Sequence, residues 1–175
     1  INQINVNINV YDNGKEKLEL IDNKTIVNAI NKGIGISHIT NIIESIYLNP
    51  NLPKYQNIYI ADINRQKCMI YKENQWILSD IEKIYNLISK VIEFSKEKYD
   101  EFIELYENNK NFQIKLEIFK KYLNFCDSEY LCDLKNDDIN KENIEKIKRC
   151  KQLTEKLEND VIKLFYNKKN IILND

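Results

Sequence analysis

The stretch Asn51–Trp76, NLPKYQNIYIADINRQKCMIYKENQW, decides how the chain is read, because here apolar and polar residues alternate twice in succession. Alternation with a period of two marks strands that bury one face. Ile58 and Ile60 fall on one side, and Asn57, Tyr59 and Ala61 on the other. Asp62-Ile63-Asn64-Arg65 supply a turn, after which Cys68 and Ile70 alternate with Met69 and Tyr71. Lys72-Glu73-Asn74-Gln75 reads as a second turn and Trp76-Ile77-Leu78 as a third strand. The pattern predicts a three-stranded antiparallel meander over residues 55–78.

On either side the spacing changes to three and four. Upstream, Asp22 or Asn23 caps a helix from about Lys24 to Asn31 that stops at Gly33. Ile39, Ile42, Ile43 and Ile46 mark a second helix, which starts near Ser37 and ends before Pro50 and Pro53. Between them, GIGISHIT has two readings: a glycine loop that cradles an anion, or a tight turn between helices. The absence of a third glycine, of a preceding buried strand and of a Lys-Ser or Lys-Thr pair favours the turn. His38 then lies in the first helical turn, partly exposed. At the N-terminus, INVNINV alternates like a strand, with KLELI as its hairpin mate after a turn at Asp12–Gly14, but an Asn-rich linker has the same look.

Downstream, Ser79-Asp80-Ile81-Glu82 has the form of a capping box. It opens a long helix reaching about Asn108, with Ile81, Ile84, Ile88, Val91, Phe94, Phe102, Leu105 and Tyr106 as its apolar stripe. A shorter helix spans about Phe112 to Phe125, with Ile114, Ile118, Phe119 and Tyr122 on one face. DLKNDDINKEN reads as a flexible loop. From Ile139 onward, Ile144, Ile147, Leu153, Leu157, Val161 and Leu164 recur at three or four residues, the pattern of a helix packed in a bundle or against another chain. The expected fold is α+β: a small antiparallel meander on a mostly helical body. It divides into a linker or strand over 1–10, a core over 11–110 and a helical C-terminal part over 111–175.

Composition narrows the function. The 175 residues are 43% hydrophobic and 30% charged, enough for a sizeable core, and the net charge of −1 provides no global positive field for nucleic acid. Asn, Ile, Lys and Tyr abound while Arg occurs only as Arg65 and Arg149, a bias with a genomic cause, so a plain excess of Asn or Lys is not a motif. Cys68, Cys126, Cys132 and Cys150 show no C-x-x-C spacing, and His38 is the sole histidine. No metal, no cofactor and no catalytic constellation is expected, and unpaired thiols fit a reduced, intracellular setting. Were zinc present, Cys126 and Cys132 would be its first ligands. Glu93, Glu97, Glu101 and Glu104 with interleaved lysines read as a solvated helix face. No apolar run approaches the ~20 residues of a membrane span, and the start at Ile1 reads as that of a fragment.

Two surfaces remain as candidates. Tyr59, Tyr71 or Trp76 could stack on bases, with Arg65, Lys67 and Lys72 near the phosphates, although only part of that set can share one face. The plainer reading is that Trp76 and one tyrosine cover the helices. Leu153, Leu157, Val161 and Leu164 on the last helix, or a strand edge near the N-terminus, would instead serve protein–protein association.

The segment NPNLPKYQNIYIADINRQKCMIYKENQW resembles a recurring segment in zinc-finger proteins of the nucleocytoplasmic large DNA viruses, the giant viruses. Asn49, Pro53, Asn57, Ile58, Tyr59 and Ile60 match one phrase of it, and Met69, Ile70, Tyr71 and Trp76 the next. VIKLFYNKKNIIL is similar to that family's closing helix, and Asn2–Val10 to its Asn-rich stretch. The resemblance implies a C-terminal domain whose two-Cys two-His finger and coiled coil lie outside these residues, so no zinc ligand carries over. The apolar helix stripe, the strand edge and the absent finger together favour self-association first and other viral proteins second, and the scarcity of arginine with no net positive field makes DNA contact by this chain weak or leaves it to the finger. The setting the resemblance implies is the host cytoplasm or viral factory, with the virion as an alternative.

Overall fold

In the computed structural model, which describes residues 9–127 and 141–173, Glu73 and Asn74 both adopt positive φ, 51° and 62°. Two consecutive residues of this kind between paired strands make a type I′ turn, whose twist matches that of the strands it joins. It connects β2 (Lys67–Lys72) to β3 (Gln75–Asp80) in a two-residue hairpin, and β1 (Ile58–Asp62) pairs on the other side of β2. The sheet order is β1-β2-β3, antiparallel throughout, with a bulge between Ile60 and Asp62. The meander expected from the alternation is therefore present. Ile58, Ile60, Cys68 and Ile70 are buried on one face.

Six α-helices surround it among the described residues: α1 (Asn23–Lys32), α2 (Ser37–Tyr47), α3 (Glu82–Leu105), α4 (Lys110–Cys126), α5 (Lys141–Asn167) and α6 (Lys169–Leu173). The protein is α+β. Asp22 caps α1 by accepting the Thr25 amide at 3.0 Å, and Asn109 caps α4 through the Phe112 amide at 3.1 Å. The buried stripe of α3 runs through Ile84, Leu87, Ile88, Val91, Phe94, Ser95, Tyr99 and Phe102 without interruption. α5 packs on α2, α4 and β1, so one hydrophobic core runs from Leu18 to Ile172, across the boundary expected at 110.

Several local expectations are corrected. KLELI is not a strand: Leu18–Leu20 form a 3-10 turn that buries Leu18 and Ile21. Ser79 does not cap α3, because it pairs with Cys68 in the sheet. The helix starts later, at Glu82, after the Ile81 amide has bonded to the Gln66 carbonyl at 3.0 Å. On α4 the buried face is Phe112, Leu116, Phe119, Leu123 and Cys126, while Ile114 and Ile118 are 62% and 43% exposed. The expected strand over Ile4–Val10 lies almost wholly outside the described residues, as does most of the loop DLKNDDINKEN and, with it, Cys132.

The turn at GIGISHIT is present, and its amides serve the fold. Ile34 donates to Ser37 Oγ at 2.8 Å, and Ser37 and His38 donate to the carbonyls of Ile34 and Gly35. His38 differs from expectation in being buried, 2% exposed. A Cβ on Gly33 would come within 2.5 Å of the imidazole, so this glycine is what lets the ring lie against the chain. His38 Nδ1 donates to the Gly35 carbonyl at 2.6 Å, which fixes the tautomer, and the ring faces Phe119.

Candidate interaction surfaces

The sheet has a second face. The register sets Tyr71 beside Trp76, Met69 between Tyr59 and Leu78, and Lys67 between Asp62 and Asp80. Tyr59, Met69, Tyr71 and Trp76 are half-buried there, and Leu78 is 60% exposed. Trp76 packs edge-to-face on both tyrosines, with centroid distances of 5.0 Å to Tyr59 and 5.5 Å to Tyr71. Tyr59 and Trp76 also pack against the hydrophobic core, as expected of Trp76 and a single tyrosine, although the register sets both, with Tyr71, on the face opposite Ile58, Ile60, Cys68 and Ile70.

The cations expected to join them are already engaged. Arg65 lies in the turn, 3.6 Å from Asp62; Lys67 pairs with Asp80 across the strands; and Lys72 is 3.7 Å from Glu73. Asp62 also accepts the amides of Asn64 and Arg65, fastening the turn. Of the three, Lys67 shares the face of the aromatic rings. Alternation sends Lys72 to the other side.

Asn57, expected on the open face, instead points inward. An inverse γ-turn at Gln56 precedes β1, and the Asn57 side chain donates to Glu16 at 2.6 Å and to the Tyr11 carbonyl at 3.2 Å. Glu16 is buried and also accepts from the Gly14 amide at 2.9 Å and from Lys90 at 2.7 Å. This clasp holds the segment before α1 to the sheet and to α3. Nothing in the local sequence marks it, because Glu16 and Lys90 are 74 residues apart.

β3 is an edge strand. In a two-residue hairpin the closing pair, here Lys72 and Gln75, is hydrogen-bonded, so the backbone groups of Trp76 and Leu78 point away from β2. Among the described residues no strand pairs with that edge. β1, at the opposite edge, is packed by α5 and α6.

The last helix behaves otherwise than expected. Leu157 and Val161 are fully buried in the chain's own core, next to Phe165 in sequence spacing, while Leu153 and Leu164 are half-buried against it. Leu157 and Val161 of its apolar stripe are thus used in the chain's own folding. Ile139 lies outside the described residues.

Burial pushes the Cys68 thiol up to about 11 and the Cys126 thiol up to about 12, and also raises Cys150. Lys98 and Asn23 hydrogen-bond Glu101 and hold its carboxyl below the ordinary range, tying α1 to α3. Among the described residues, no three metal-ligating side chains come together and no helix is long and apolar enough to cross a membrane. No family model, curated protein or solved structure matches the chain. The class defined by fold and surface is an α+β domain with an open sheet edge and an aromatic outer face.

Proposed function

We propose that the chain is a non-catalytic assembly module that associates with itself through the open edge and outer face of its meander. One observation carries this reading: β3 presents backbone groups at Trp76 and Leu78 with which no strand pairs among the described residues, beside an exposed leucine and three clustered rings. Exposed edges of this kind attract another strand, and natural sheets usually blunt them with charge or proline. Antiparallel pairing of β3 with β3 of a second copy is isologous; it uses up both edges at once and closes without propagating. The resemblance to giant-virus zinc-finger proteins supplies a reason for such pairing. A finger that reads DNA weakly gains avidity when a downstream domain doubles it, because the second contact becomes intramolecular.

Light scattering across a concentration series up to tens of micromolar, roughly the range of weak but specific dimers, tests the proposal. The expected result is a dimer that Leu78→Lys converts to monomer without changing the circular dichroism. A monomer throughout, or a dimer indifferent to Leu78→Lys, overturns it.

A second reading, single-stranded nucleic acid on the rings, is favoured by the gathering of Tyr59, Tyr71 and Trp76 on one face. Two features weigh against it: the rings meet edge-to-face rather than as parallel platforms, and each nearby cation has a carboxylate partner. Oligonucleotide binding abolished by Trp76→Ala would promote it.

A further inference from the structure

We infer that the outward face of α4 is a docking site for an amphipathic helix whose flanks are acidic, supplied by a different protein. The helix carries two apolar stripes. Phe112, Leu116, Phe119 and Leu123 are buried, whereas Ile114, Ile118, Tyr122 and Phe125 recur at four, four and three residues on a face about 120° away. Such spacing along roughly 16 Å of helix matches the anchors that a partner helix meets in helix-in-groove recognition. Ile114 and Ile118 are exposed; Tyr122 and Phe125 are half-buried. Gly35 seats its turn on the Tyr122 ring, and the adjoining Ile34, 87% exposed, extends the patch. Of this second stripe Tyr122 also packs on the edge of the chain's own core, whereas Ile114 and Ile118 lie outside it.

Charge identifies the occupant. Lys110 and Lys121 flank the stripe on one side and Lys115, bonded to the Asn31 carbonyl at 2.7 Å, on the other; Lys120 turns away onto the Tyr99 ring, and the one acid of α4, Glu117, already accepts the Tyr99 hydroxyl at 3.1 Å. At its C-terminal end the stripe opens into a groove shared with α5, where Lys121 and Arg149 both sit over the Phe125 ring, at 5.9 Å and 5.1 Å from its centroid. Glu142 and Glu145 also line that groove, and Glu142 is engaged by Lys146 at 2.7 Å. An apolar strip bordered mainly by cations selects against basic helices and favours acidic ones by complementarity. The site is independent of the meander, so the chain would hold a copy of itself on one surface and a foreign helix on another.

The probe is a fluorescent synthetic helix of ~18 residues with leucines at i, i+4, i+8 and i+11 and glutamates on both flanks. Its control carries lysine in place of every glutamate. Anisotropy titration with the full chain is expected to show saturable binding of the acidic peptide, about tenfold or more tighter than that of the basic one. Ile114→Ser with Ile118→Ser should weaken binding by a similar factor while leaving the melting temperature in place, because both side chains are exposed. Lys121→Glu with Arg149→Glu should shift preference toward the basic peptide. Equal binding of the two peptides, indifference to the serine pair, or no binding overturns the inference. So does a change of oligomeric mass in the serine variant, which would assign the face to a second copy.

Discussion

His38 shows how one residue can pass from an unremarkable surface assignment to a structural part. Burial depresses its pKa below the ordinary value of 6.5, with the Lys115 charge adding to the effect and the hydrogen bond to the Gly35 carbonyl opposing it. The folded chain therefore binds fewer protons than the unfolded one just below that value. Stability is fully present above pH ~6.5 and is lost as the pH falls toward the depressed folded value. Urea unfolding at stepped pH should show this loss in the native chain, and His38→Gln should flatten that part of the profile. An identical slope in both would place the titration elsewhere. Asn57 teaches the same lesson: alternation puts it on the open face of the sheet, yet its side chain donates to Glu16 and the Tyr11 carbonyl.

At the scale of elements, α4 separates folding from surface within one helix. Leu116 is fully buried and Ile118 is 43% exposed, although both are large and aliphatic and lie two residues apart. Leu116→Ala should cost about 2–5 kcal/mol, the range for emptying a packed core position. Ile118→Ala should stay within about 0.5 kcal/mol, as surface changes do. Equilibrium denaturation of the two variants checks the assignment, and comparable losses would mean that α4 is rotated from the orientation described. The hairpin offers a second contrast at this scale. Its type I′ turn is built from Glu73 and Asn74, so Asn74→Gly puts the residue this turn prefers at a positive-φ position and should be read as a rise in melting temperature.

For the whole molecule, the question is which apolar surface folds the chain and which is left for partners. α5 belongs to the first category. Leu157, Val161 and Phe165 close the core between α2, α4 and β1, and Lys168 extends the same attachment by pairing with Glu44 on α2. Leu157→Lys should therefore unfold the chain outright instead of merely separating subunits, because it places a charge where no partner waits. Loss of cooperative melting is the expected observation. A variant that stays folded and becomes monomeric would return α5 to the role of interface.

Periodicity by itself determined the α+β class, the meander and its turns, the caps at Asp22 and near Gly33, and the existence of each long helix. These rest on local chemistry: side-chain alternation, capping atoms and turn residues act within a few positions of one another. The same signals could not say which of two apolar stripes on α4 faces inward, nor that the stripe of α5 is consumed by β1 and α2. Burial of one element depends on what packs over it, and those neighbours come from distant parts of the chain. The capping box failed for a related reason, since Ser79 is claimed by pairing with Cys68 before it can cap. The Glu16–Asn57–Lys90 clasp and the gathering of Tyr59, Tyr71 and Trp76 were likewise decided by tertiary structure, where strand register and long-range contact bring together residues that no spacing rule relates.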